Sequence, residues 1–384
     1  MEIDRVHEII PSLIESLLEN HSSQHECESM NRYKQVLNFE PVDRLPITYS
    51  YPVSPDARWQ PFPNRYIYQN PAVMFYNELV SAWDLHITDR ALILDDLPVT
   101  IRPNWGTVTV ASLLGIPPEQ RDDQTPWIRR RDENITLEDI GSLDVDIREY
   151  RWIQNILETY EYYHEVVAAY PKFGEMVTIT LPDLQGPFDT LEQIMGEQLF
   201  IDMVLEPERV KESLLKVARL QKECIDLFQP YCTEQIPGYS HQHGTMLKGN
   251  LLIRNDSVVM ISPRMYEDIV APGDIFLMKE VGGGAIHSCG KIDHATDVMF
   301  ELEGIQSFDL GQSYLNDMDR IYRKAKEKKI PLIRVQPDRE ELISGSILER
   351  YPTGVTLTFR SQSRDDAIQV HEAYKRAVER RRKK

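Results

Sequence analysis

The chain has 384 residues, 41% of them hydrophobic and 9% aromatic, with 43 basic against 61 acidic side chains and a formal charge of −18 at pH 7. That length is within reach of one α/β barrel, which needs roughly 250 residues plus insertions. The charge argues against nonspecific binding to a polyphosphate strand, and no run approaches the roughly 18 uninterrupted apolar residues of a membrane helix, so neither nucleic acid nor a membrane is an expected partner.

The N-terminus, MEIDRVHEIIPSLIESLLEN, is acidic and amphipathic, without the basic start and apolar stretch of a signal peptide. Four cysteines, Cys27, Cys224, Cys232 and Cys289, form no disulfide-like framework. The expected location is the cytoplasm. A helical layer is predicted over residues 1–38. Beyond it, short apolar or β-branched runs alternate with helical patterns. The predicted strands are LPITYSY (45–51), RALILD (90–95), EMVTITLP (175–182), TEQIPGYS (233–240), GGAIHSC (283–289), GIQSFDL (304–310), IPLIRVQ (330–336) and GVTLTF (354–359). Helices are predicted over 206–228, with Pro207 in its first turn, and over 316–329.

This alternation implies a parallel sheet with helices outside it. An open doubly wound sheet would want a glycine-rich phosphate turn after the first strand, and YSYPVSPDARWQPFP supplies none. The expectation is therefore an α/β fold, a single (β/α)8 TIM barrel spanning 1–384, with a β-rich insertion over 97–145. The basic run KRAVERRRKK (375–384) reads as a helix end, where cations suit the dipole.

In such a barrel functional groups sit where strands end. Polar residues at those ends are Asp95, Asp96, Asp183, Gln185, His241, His243, Asp256, His287, Cys289, Asp309, Gln312, Gln336, Asp338 and Arg360. His287 and Cys289 share strand parity, so both side chains point one way. Thiolate with imidazole is a zinc pairing, and catalytic zinc wants three protein ligands. No cysteine follows Cys289, which leaves His241, His243, Asp256 and Asp309 as sources of a third ligand. The same spacing also suits two soft side chains in a buried strand. In YSHQHG, His241 and His243 suit ligation, acid/base work or an ordinary loop. In ILDDLP only one of the adjacent carboxylates can face inward. A Walker loop, a nucleophile elbow, an HExxH helix and a dinucleotide fingerprint are absent.

Several segments together resemble the uroporphyrinogen decarboxylase superfamily, which includes zinc-dependent, corrinoid-using methyltransferases. They are MNRYKQVLNFEPVDRLPI (30–47), ALILDDLPV (91–99), LQGPFDTLEQIMG (184–196) and NDSVVMISPRMYEDIVAPG (255–273). The resemblance runs from about Met30 to the C-terminus and implies a (β/α)8 barrel. The decarboxylase arginine pair is absent after the first strand, leaving Arg58 alone. The family tyrosine falls at Ile194 and its histidine near Phe359 and Arg360. Asp96 and Ser257 look retained. AIHSCGK is similar to the H-x-C-G of the methyltransferase branch, which implies zinc on His287 and Cys289, although LTFRSQS lacks that branch's late cysteine.

The expected function is zinc-assisted methyl transfer between a corrinoid, or a methylated small molecule, and a thiol or similar acceptor. Asp96, Asp256, Ser257, His241 and His243 are the expected catalytic residues. Arg58, Gln185, Asp309, Gln312, Gln336 and Arg360 are expected to bind a small-molecule substrate. A corrinoid (cobalamin) carried on a partner protein and a homodimer complete the expectation. The alternatives are a decarboxylase-like lyase of tetrapyrrole metabolism and a non-catalytic barrel homologue.

Overall fold

The computed structural model describes residues 5–129, 135–234 and 236–383. Residues 1–4 of the predicted N-terminal layer, residues 130–134 of the predicted insertion, Gln235 of the predicted fourth strand and Lys384 lie outside the described residues.

Helix α1 (Val6–Glu19) buries Val6, Ile10, Leu13, Ile14 and Leu17, a stripe at three-to-four spacing. Helix α2 (Ser23–Leu37) starts at Ser22, whose side chain accepts from His25 N. There follow β1 (Ile47–Ser50), β2 (Thr100–Ile101), β3 (Pro118–Glu119), β4 (Trp127–Ile128), β5 (Thr178–Ile179), α3 (Pro187–Met195) and α4 (Pro207–Phe228). The second half holds β6 (Tyr239–Gln242), β7 (Thr245–Lys248), β8 (Leu252–Arg254), β9 (Gly284–Ser288), β10 (Ile305–Leu310), α5 (Met318–Lys328), β11 (Leu332–Val335), β12 (Val355–Arg360) and α6 (Arg364–Arg382).

The architecture is mixed α/β, with a six-stranded parallel sheet in the order β1-β12-β11-β10-β9-β8. Helices cover it, and β9 is buried along its whole length, as parallel strands flanked by helices are. Among the described residues, β2 and β5 form a separate parallel pair. Backbone bonds run from Asp96 N to Ile47 O (2.9 Å), from Thr178 N to Val99 O (2.9 Å) and from Thr233 N to Ile179 O (2.8 Å).

Three predicted strands differ: EMVTITLP shortens to Thr178–Ile179, because the helix Pro171–Met176 runs into its start, and two others change in kind. Over 90–95 the chain makes a helical turn, Arg90–Ile93, and then Leu94 adopts φ +59°. The extended stretch after it lies beside β1, but carboxylates stand in for ladder carbonyls. Ile47 N donates to Asp96 Oδ2 at 3.0 Å and Tyr49 N to Asp95 Oδ2 at 3.2 Å. Over 233–240 the sheet strand is replaced by an antiparallel hairpin, β6 with β7, and the sheet position beside β9 goes to β8. The hairpin turn is His243-Gly244, with φ +50° and +70°, the positive pair that two-residue hairpin turns need. Segment 97–145 holds β2, the β3/β4 hairpin, a 3-10 turn at Ala111–Leu114 and a helix at Leu137–Ser142. No helix among the described residues is long and apolar enough to cross a membrane.

Candidate metal centre

Parallel register brings the site together. Arg254 on β8 pairs with His287 on β9, and His287 with Asp309 on β10. His287 is 3% exposed, and its Nδ1 lies 2.7 Å from Asp309 Oδ2. That contact leaves Nε2 facing Cys289 Sγ and Asp256 Oδ1, each at 3.4 Å. The ligand atoms of Asp256, His287 and Cys289 all lie within 4.8 Å of one another. Cys289 N donates to Asp256 Oδ1 at 2.8 Å, tying the loop after β8 to the end of β9. Gly311, just past β10, leaves room beside them, since a Cβ there would lie 2.7 Å from both Cys289 Sγ and His287 Cε1.

Two guanidiniums flank the triad. Arg334 donates through Nε to Asp309 Oδ2 at 3.0 Å, and its Nη2 also bonds this oxygen. A register shift in β11 and a left-handed φ of +57° turn Arg334 toward β10. Arg254 bonds Asp183 Oδ2 at 2.7 Å and reaches Asp256 Oδ2 at 3.5 Å. His243 Nε2 is 3.2 Å from the same Asp183 oxygen, and its ring centroid is 5.9 Å from that of His287.

The charges follow from this packing. Burial opposes ionisation of Asp256, but the hydrogen bond and charge of His287, with Arg254, hold its pKa at about 2. Asp309 and Asp183 are likewise depressed against burial, by Arg334 and His287 in the first case and Arg254 and His243 in the second. Burial lowers His243 to about 3 despite Asp183, so it is neutral. Burial also disfavours the His287 imidazolium, yet Asp309 and Asp256 raise its pKa well above the usual histidine value.

A cavity of about 750 Å³ opens beside the triad, walled by residues that include Phe62, Tyr68, Trp83, Trp127, Asp183, Gln185, Arg254 and Asp256. Asp256 belongs to both the cluster and the cavity wall.

The predicted residues divide by place. Asp256, His287, Cys289 and Asp309 converge, with His243 one ring away and Gln185 on the cavity wall. Ser257 N donates to Asp189 Oδ1 at 2.9 Å. Gln312 Oε1 accepts from Gly290 N at 2.8 Å and Gln336 Nε2 donates to Gly311 O at 2.8 Å, so both glutamines hold backbone beside the cluster. The structure does not bring four others there. Asp96 is fully buried with Arg32 and Arg44. His241 Nδ1 pairs with Glu234 Oε2 at 3.0 Å. The Arg58 guanidinium lies 4.6 Å from the Trp59 ring centroid, and Arg360 is bonded to Asp84 at 3.0 Å. Arg254, Arg334 and Gly311 escaped the sequence reading. Arg254 shares parity with Asp256 at a strand exit, which is a usable signal, whereas Arg334 depends on an irregularity that no pattern announces.

No protein-family model matches the sequence, and no curated protein matches it. The structure is similar to that of a methyltransferase from Methanosarcina mazei, with a TM-score of 0.63 over 92% of this chain and 99% of that one, at 13% sequence identity. The likeness is one of fold.

Proposed function

We propose that this chain is a zinc-dependent methyltransferase on a (β/α)8 barrel, moving a methyl group between a corrinoid, or another methylated small molecule, and a thiol or similar acceptor. One observation carries the reading. A carboxylate, an imidazole and a thiol from two adjacent strand exits converge within 4.8 Å. That donor set suits zinc, and three protein ligands leave a position open for a reactant. Asp256 answers the want of a late cysteine. Asp309 behind His287 Nδ1 is the carboxylate partner that orients a metal-binding histidine.

When bound, zinc supplies Lewis acidity that lowers the pKa of a coordinated thiol. The side chains do the remainder. His287, held by Asp309, presents Nε2, and Asp256 contributes a carboxylate oxygen beside it. Arg254 braces Asp256 against Asp183, and aromatic side chains on the cavity wall offer apolar surface to the acceptor. The fold shared with a methyltransferase supports the reaction class. The backbone bonds that link β1 to Asp96 and β5 to Thr233 support the barrel. A corrinoid delivered by a partner protein belongs to the same proposal.

The decarboxylase alternative gains no support from the cavity. Among the described residues its wall carries Glu78, Asp123, Asp183 and Asp256 against the guanidinium of Arg254, an unfavourable surface for a polycarboxylate.

Metal analysis of the purified protein tests the reading, together with thiol-dependent demethylation of methylcobalamin followed by its visible absorbance. Stoichiometric zinc is expected, with loss of both metal and demethylation in His287→Ala and Cys289→Ala. Zinc that survives both substitutions overturns the assignment.

A further inference from the structure

We infer that Asp189 is the positioning residue of the metal centre, its carboxylate setting the backbone of the loop that presents Asp256. This rests on the proposed metal triad and extends it to a helix that contributes no ligand.

Asp189 lies at the third position of α3, after Gly186 and Pro187. An acidic residue there ordinarily turns back to the amide of its own helix cap. Here no side chain caps α3, and the two carboxylate oxygens leave the helix altogether. Oδ2 accepts from Asp256 N at 2.8 Å and Oδ1 from Ser257 N at 2.9 Å. Asp189 is 3% exposed, so this is a buried, bidentate clamp on consecutive amides. Hydrogen bonds of amides to a carboxylate are about twice as strong as neutral ones.

The clamp matters because of what the loop carries. Asp256 reaches the triad from the first residue of a short 3-10 helix, Asp256–Met260, whose own cap residue, Asn255, makes no side-chain cap bond, whereas His287 sits on a strand and Cys289 follows it directly. Once its amide is fixed by Asp189, the Asp256 side chain is held in turn by Cys289 N and Arg254. The path therefore runs from α3 through the loop to two of the three ligands. Gly186 makes the reach possible. A Cβ at that position would overlap the Arg254 carbonyl and come within 3.0 Å of Asn255 Oδ1, so only glycine lets α3 start against the end of β8.

Two acceptors are needed for two amides. Asparagine keeps the shape but offers one acceptor and turns an NH2 group against the second amide. Groups that orient metal ligands typically change affinity 10–100-fold when removed.

The test uses cobalt(II) as a spectroscopic stand-in for zinc in the full chain. The wild type, Asp189→Asn, Asp189→Glu and Asp256→Ala are titrated with cobalt and competed with a chelator. Asp189→Asn is expected to bind roughly 10-fold or more weakly, with its visible bands shifted toward those of Asp256→Ala while the thiolate-to-cobalt band persists. A purely structural Asp189 would lower the melting temperature and leave the cobalt spectrum and affinity at wild-type values, and that result overturns the inference. Asp189→Glu keeps both acceptors but moves them by one methylene, so it guards against a misfolded Asn variant. It is expected to bind cobalt several-fold more weakly, and wild-type affinity there overturns the inference as well. A wild-type protein that takes up no cobalt overturns the metal reading itself. Cobalt bound by the wild type with an unchanged Asp189→Asn overturns only the role of Asp189.

Discussion

Asp309 Oδ2 lies 2.7 Å from Nδ1 of His287 and is held from the other side by Arg334. The carboxylate thereby selects which imidazole nitrogen faces Asp256 and Cys289. Asp309→Asn is expected to weaken zinc about 10–100-fold, because the amide can present a donor to Nδ1 and let the ring turn. Chelator competition measures the change, and unaltered affinity would show that the ring is fixed by packing alone.

Gly311 has no side chain where Cys289 and His287 meet. In Gly311→Ala the new Cβ would sit 2.7 Å from Cys289 Sγ, well inside contact distance, and the thiol must move. The expected outcome is a folded protein with near wild-type melting temperature and metal content reduced to a small fraction. Circular dichroism with elemental analysis separates the two effects.

The four cysteines differ in access. Cys27 is exposed, Cys289 partly exposed and Cys224 buried, with burial pushing the Cys224 thiol far up. A thiol reagent is expected to modify Cys27 quickly, Cys289 more slowly and Cys224 only on unfolding. Added zinc should protect Cys289 and leave Cys27 unchanged. Peptide mapping of the labelled protein reads this directly, and equal labelling of Cys289 with and without zinc would count against its being a ligand.

Asp96 makes a stability prediction rather than a catalytic one. Burial opposes its charge, but Arg44 and Arg32 hold its pKa down at about 2 against an ordinary 3.8. A depressed carboxylate stabilises the fold above its unfolded value, so this contribution, on the order of 2 kcal/mol, is complete above about pH 4 and is lost as pH falls toward about 2. Asp96→Asn leaves two buried guanidiniums short of a counter-charge, at a cost of about 3–5 kcal/mol. Denaturant unfolding at pH 7 and at low pH checks both, since the difference between wild type and variant should shrink on acidification.

Much of the fold was legible because its signals are local. The 3.6-residue stripe of α4 and the β-branched runs of β9 to β12 declare themselves over a few residues, and the structure agrees to within a residue or two. RALILD failed because its apolar run is short enough for a helical turn, and because paired aspartates accept the β1 amides that a strand's carbonyls would take. TEQIPGYS failed because the alternating pattern continues through His243-Gly244, a hairpin turn hidden by a histidine where asparagine is the familiar signal.

By itself the sequence determined the α/β alternation and the common face of His287 and Cys289, since strand parity depends only on neighbouring residues. Only the tertiary structure decided that Asp256 completes the triad, that Asp309 and Arg334 stand behind the histidine, and that Asp96 lies in a buried ion cluster elsewhere. Those choices turn on the register between parallel strands and on the close approach of α3 to β8. Both arise from packing between segments far apart in the chain, where local spacing carries no information.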